Sequence, residues 1–143
     1  MCNKNHLRFK FSKNDLVTVT VPVNTSSTNS ISHSFVNCPI YNPKNKQIGY
    51  KVSDDYVQQV AMDKYVVRLN NTYTFTKNGN AIGTISWQYV FINTANNIYY
   101  PIDVPCASQI ISGTGIFEHA KGKVTLLAKK NGDRLVDIEF EER

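Results

Sequence analysis

The segment TYTFTKNGNAIGTISWQYVF, residues 72–91, constrains the fold more than any other stretch. Asn78-Gly79 sits between two runs of alternating polar and apolar residues. Asn-Gly supplies the positive φ angles of a type I′ turn, so the two runs are expected to pair as an antiparallel hairpin. Side chains alternate faces along a strand. Upstream, KYVVRLNNTYTFT (64–76) therefore places Val67, Leu69, Tyr73 and Phe75 on one face, and Arg68, Asn70, Thr72 and Thr74 on the other. Downstream, AIGTISWQYVFIN (81–93) groups Ile85, Trp87, Tyr89 and Phe91. Such an apolar face needs more sheet to cover it. The end of the chain repeats the device: KVTLLAKK (123–130) and DRLVDIEFEE (133–142) flank Asn131-Gly132, and the same turn chemistry is expected there.

Period two continues elsewhere. LVTVTVPV (16–23) reads as a strand, TSSTNSIS (25–32) as a polar break, and HSFVNCPIY (33–41) as a strand closed by the turn-rich NPKNKQ before IGYKVS resumes. DDYVQQVAMDK (54–64) admits two readings. Asp54 or Asp55 caps a short helix with Val57, Val60 and Ala61 on one face, or the segment is another strand. The total is about eight strands, at most one short helix and no internal linker. That pattern implies one all-β domain over residues 14–143 behind an N-terminal tail at 1–13, built as an antiparallel barrel or sandwich. A barrel removes the open edges that such strands otherwise leave.

Several function classes are set aside on composition. The net charge is +5, but the lysines are scattered, only Lys129-Lys130 are adjacent, and arginines do not cluster. This reads as a solvated surface and gives no sign of specific nucleic-acid binding. Cys2, Cys38 and Cys106 are odd in number and widely spaced, so no disulfide framework is expected. No CxxC occurs and three dispersed histidines have no metal-ligand spacing, so no metal or cofactor is expected. MCNKNHLRFKFSKNDL lacks an apolar signal core, and no run approaches the roughly 20 apolar residues of a membrane helix. An intracellular, cytoplasmic protein without membrane attachment is expected, and the sequons at Asn24 and Asn70 then carry no glycan. Abundant Lys, Asn, Ile and Tyr fit an AT-rich genome, a large virus among them, which makes a virion component one expected setting.

ISGTGIFEHAKGKVTL (111–126) raises the question of a phosphate loop. Gly113 and Gly115 give G-x-G, but Glu118 stands where a third glycine belongs, and its carboxylate repels phosphate. No helix follows to lend its N-terminus. Gly122-Lys123 fails the Walker spacing because Phe117 replaces the leading glycine. The reading is structural: Gly113 and Gly115 permit a bend or bulge, Gly122 a second kink, and Phe117 plugs the core between them. On a strand Glu118 and His119 point to opposite faces, so they do not form a base and its partner. Glu118 is expected outside, and His119 on the face of Phe117. A nucleophilic Cys38 or Cys106 requires a histidine within reach, and a buried free cysteine is the plainer reading.

These same residues resemble a known family. GTGIFEHAKGKVTL is similar to the segment shared by plant allene oxide cyclases and dirigent proteins, G-[GS]-[ST]-G-x-F followed by a small residue, a variable position and a glycine. Gly115-Ile116-Phe117-Glu118 resembles the cyclase form most. YNPKNKQIG and TYTFTKNGNAIGTISWQYV resemble the loop after the first barrel strand and the central hairpin of both families. The resemblance spans about residues 33–130. It implies a calycin-type, eight-stranded antiparallel β-barrel with an apolar central cavity, commonly a homotrimer. The cyclase glutamate and asparagine fall on Phe35 and Asn37. The dirigent acid and arginine fall on Ile116 and Lys121. Because Phe35 and Ile116 replace acids, the first expectation is a non-enzymatic oligomeric barrel, a structural or assembly module. The alternative is a barrel that binds a small apolar ligand, with cyclase, isomerase or dirigent-type activity, in a pocket drawing on Asn37, Tyr73, Trp87, Phe117, His119 and Lys121.

Overall fold

The computed structural model describes residues 4–24 and 30–141. Among these described residues nine strands run in chain order: β1 (Lys4–Ser12), β2 (Val17–Asn24), β3 (Ile31–Tyr41), β4 (Gln47–Ala61), β5 (Lys64–Lys77), β6 (Asn80–Asn93), β7 (Cys106–Gly115), β8 (Lys121–Ala128) and β9 (Asp133–Glu141). The helical content of the described residues is one 3-10 turn at Lys13–Asp15, opened by the Ser12 hydroxyl accepting from the Asn14 N–H at 3.1 Å. The sheet order is β1-β9-β8-β7-β6-β5-β4-β3-β2, every pairing antiparallel, and β1 meets β3 again at Lys10↔Tyr41. Eight strands thus close into a barrel, as expected, and β2 lies outside the ring along β3.

The tail expected over residues 1–13 is corrected by this pairing across residues 4–12. Lys4–Ser12 forms nine register pairs with β9 and buries Phe9 and Phe11. Short alternation interrupted by Lys and Arg on the outward positions hides a strand whose inward positions are Leu7, Phe9 and Phe11. The ambiguous segment 54–64 is strand, because β4 runs unbroken from Gln47 to Ala61 and a two-residue turn at Met62-Asp63 returns it to β5. The expected break at 25–32 lies outside the described residues at 25–29 and gives way to β3 at Ile31.

The two Asn-Gly turns differ. Asn78 and Gly79 both hold positive φ, 51° and 78°, as a type I′ turn requires. In the second hairpin only Gly132 is positive, at 100°, with Gly132 N–H donating to the Lys129 carbonyl and Lys129 N–H to the Asp133 carbonyl. One extra residue converts it into a three-residue loop with a glycine bulge.

Inside the barrel, aromatic rings interlock edge to face: Phe9 on Tyr73 at 4.8 Å, Phe9 on Phe75 at 5.5 Å and Phe117 on Phe140 at 5.6 Å. Phe117 is buried, as its reading as a plug requires, but residues 116–119 form a turn and not a strand. Gly115, at φ 60°, starts that turn, and Glu118 N–H donates back to its carbonyl at 3.1 Å. Gly113 and Gly122 are sites of close approach, where an added Cβ would run into the Phe117 and Glu139 carbonyls respectively.

Candidate functional site

The alternation of β4 decides what enters the barrel. Tyr50, Val52, Asp54 and Tyr56 face outward, while Lys51, Ser53, Asp55 and Val57 face inward and are buried. The register sets Lys51 between Cys38 on β3 and Tyr73 on β5, Ser53 beside Asn71, and Asp55 beside Leu69. A polar cluster therefore sits within an aromatic interior, a placement that requires hydrogen bonds or pairing.

Those bonds are only partly made. Asp55, 2% exposed, accepts from the Ser53 hydroxyl at 3.0 Å through Oδ2. Asn71, 2% exposed, donates its Nδ2 to the Tyr100 hydroxyl at 3.1 Å. Asp55 Oδ1 and Asn71 Oδ1 are the two buried side-chain polar atoms without a partner among the described residues. Lys51, 4% exposed, lies with its ammonium nitrogen 4.6 Å from the Phe11 ring and forms no ion pair among the described residues. Burial pushes the Asp55 carboxyl up to about 6, against the pull of Lys51. Burial likewise lowers the Lys51 pKa, with Asp55 opposing. Arg134, also buried, donates to the Gly132 carbonyl at 3.1 Å.

The barrel end above this cluster is shut by the connection from β6 to β7. Tyr100 inserts its ring beside Trp87, Tyr89 and Phe91, with centroids 6.4, 6.2 and 6.3 Å away. The space left among Phe11, Lys51, Asp55, Tyr100 and Arg134 is about 10 Å³. One water molecule needs roughly 10–15 Å³ by the same kind of measure, so this space is too small for an apolar ligand. Tyr73 accepts from the Trp87 indole N–H at 3.0 Å, and burial raises its phenol pKa. Burial also raises Cys38 to about 11, with Cys106 shifted in the same direction, so both thiols are protonated at neutral pH.

The six residues expected to share a pocket are divided by the barrel wall. Tyr73, Trp87 and Phe117 lie inside. Asn37 faces outward on β3, beside Val17, Val19, Phe35, Val52 and Thr72 around an external groove of about 460 Å³. His119 and Lys121 are exposed and line a different external groove with Glu118 and Ile111. His119 was expected on the face of Phe117, but the turn at 116–119 breaks strand parity and swings it to solvent. Phe35 and Ile116, where the resemblance had led acids to be sought, are also exposed. The acid that does face inward, Asp55, was hidden in the ambiguous segment. A strand reading of GYKVSDDYV would have placed Lys51, Ser53 and Asp55 on one side.

The outer wall is unusually apolar over β2, β3 and β4. Val17, Val19, Val21 and Val23 are all exposed, and their register continues through Phe35 toward Val52. Beside them His33 stacks on Tyr56 at 4.1 Å, packs on Phe35 at 4.2 Å and bonds Asp54 at 2.8 Å. Arg68 covers the other side of that row, 4.8 Å over the Tyr56 ring.

No family model matches the sequence, and no curated protein matches it. Solved structures do match in fold. The pterocarpan synthase dirigent protein GePTS1 superposes with a TM-score of 0.59 at 20% identity, over 99% of this chain and 90% of that one. Pyocyanin demethylase superposes with a TM-score of 0.60 at 13% identity, over 95% of this chain and 99% of that one. The chain therefore has the fold of a dirigent-like barrel.

Proposed function

We propose that this chain is a non-enzymatic, self-associating barrel module that acts as a structural or assembly unit, with a trimer as the state that its likeness to dirigent proteins and allene oxide cyclases suggests. The observation that carries this reading is the exposed valine face of β2 continued by Phe35 and Val52. A contiguous apolar patch on a soluble surface marks an interaction site. The packed interior supports it further, since a barrel whose centre is filled by Trp87, Tyr73 and Tyr100 is built for rigidity. Native mass spectrometry on the purified chain tests the reading. An oligomer without added small mass is expected, and Val19→Lys with Phe35→Lys should release folded monomers. A wild-type monomer at all concentrations would overturn it.

A second reading, a barrel that binds a small ligand and acts on it, draws on the inward carboxyl of Asp55, an acid on a different strand from those of the families. Ligand access requires withdrawal of Tyr100. Mass gained on soaking with phenolic or fatty-acid compounds, and lost in Asp55→Asn, would favour this reading over the first.

A further inference from the structure

We propose that Lys51 and Asn71 become joined by an intramolecular isopeptide bond inside the barrel, with Asp55 as the carboxyl that moves the protons. The inference rests on register, burial and unpartnered atoms. It is independent of the oligomer proposed above.

Placement comes first. Lys51, Ser53 and Asp55 are successive inward positions of β4, and Asn71 stands directly across from Ser53 on β5. Asn71 is thus the diagonal neighbour of both Lys51 and Asp55. Diagonal neighbours on one face lie about 7–8 Å apart, within reach of long side chains. The four-carbon stem of lysine carries Nζ across that gap.

The surroundings then favour reaction over ion pairing. A buried ammonium without a partner is costly, and a buried lysine escapes the penalty as the neutral amine. The neutral amine is the nucleophile. The Phe11 ring lies 4.6 Å from Nζ and Lys51 is buried, so the amine is withdrawn from the water that would otherwise solvate it.

The unpartnered atoms complete the case. Asn71 is oriented by its Nδ2 bond to Tyr100, which leaves Oδ1 bare. Asp55 is held by Ser53 through Oδ2, which leaves its own Oδ1 bare. A carboxamide oxygen accepts, and a protonated carboxyl oxygen donates. The two unsatisfied atoms are therefore complementary once Asp55 carries a proton, and burial raises the pH at which it does so to about 6. Such a contact polarises the Asn71 carbonyl toward attack.

The chemistry balances without an oxidant or a co-reactant. Lys51 Nζ attacks Asn71 Cγ, the Nζ–Cγ bond forms and the Cγ–Nδ2 bond breaks. One proton from Nζ passes through Asp55 to Nδ2, which leaves as ammonia. Asp55 ends protonated as it began. The product is a secondary amide that ties β4 to β5 across the barrel interior.

Tryptic mapping of the purified full-length chain tests this, together with its intact mass. The expected result is a mass lower by one ammonia and a branched peptide joining residues 47–64, uncut at Lys51, to residues 69–77. Asn78-Gly79 and Asn131-Gly132 can also lose ammonia by closing to succinimides, but these give no branch. An ammonia deficit without the branched peptide, or tryptic cleavage at Lys51 throughout, would overturn the proposal. A single 47–64 peptide lighter by one water, closed on itself by a Lys51–Asp55 amide, would overturn the assignment of Asn71. In Lys51→Met the deficit should vanish. A folded Asp55→Asn chain should remain unlinked, and a fully linked one would remove Asp55 from the mechanism.

Discussion

Replacing Phe9 with alanine tests whether the first residues of the chain belong to the barrel. Phe9 is 3% exposed and packs edge to face on Tyr73 at 4.8 Å and on Phe75 at 5.5 Å. Truncating a buried phenylalanine to alanine costs about 3–5 kcal/mol, the spread reflecting how far the site collapses. Collapse is restricted here, because β1 is held in register with β9 along its length and closes on β3 at Lys10. The two aromatic contacts are lost as well, each worth roughly 0.5–1.5 kcal/mol beyond area. A loss of about 4 kcal/mol is the expected outcome, a large fraction of the 5–15 kcal/mol by which single domains are stable. For a chain of this size it lowers Tm by about 10–15 °C. Urea unfolding followed by the fluorescence of the single tryptophan, Trp87, reads this directly, since that indole is buried and bonded to Tyr73. Arg8→Ala on the outward face of the same strand should leave the midpoint nearly unchanged, because its pairing with Asp137 is at an exposed site. A Phe9→Ala chain that unfolds within about 1 kcal/mol of wild type would refute the argument, because the strand would then behave as a tail.

Three further outcomes follow from the interior and the turns. With its folded pKa raised from 3.8 to about 6, Asp55 contributes stability that is fully present below pH 3.8 and lost as the pH rises to about 6. The swing is about 3 kcal/mol, and Asp55→Asn should flatten it in urea titrations across that window; an unchanged pH profile would show that the carboxyl is not buried. Gly122→Ala should destabilise by about 1–3 kcal/mol, because the new Cβ meets the Glu139 carbonyl and Phe140 Cα of the paired strand, and a neutral result in thermal melts would contradict that packing. Gly79→Ala meets no atom within 4 Å and bears only the strain of φ 78°, so it should cost about 1–2 kcal/mol and leave the hairpin formed by circular dichroism.

How much of this was legible in the chain depends on the range of the interaction concerned. The Asn78-Gly79 hairpin, the faces of β5 and β6 and the all-β class follow from local rules, because turn chemistry and period-two alternation act over a few residues. The resemblance around GTGIF pointed to the closed barrel that the pairings realise. The membership of β1 was not legible, since its partner β9 lies at the other end of the chain and its own alternation is brief. Nor was the inward face of β3. Parity alone leaves both faces of HSFVNCPIY open, and the closing of the sheet puts Val36 and Cys38 inside and Phe35 and Asn37 outside. A one-residue difference in parity moves every side chain across the wall, which is why the expected pocket divides.

The sequence by itself determined the alternating strands, the turn that reverses the central hairpin and the aromatic face of that hairpin, because each is encoded in residues close along the chain. Only the tertiary structure decided which polar residues the barrel encloses. Lys51 and Asp55 are four positions apart on one strand, while Asn71, Tyr100 and Arg134 come from elsewhere. Their meeting depends on curvature, register and the insertion of Tyr100, and those are properties of the closed sheet that no local pattern carries.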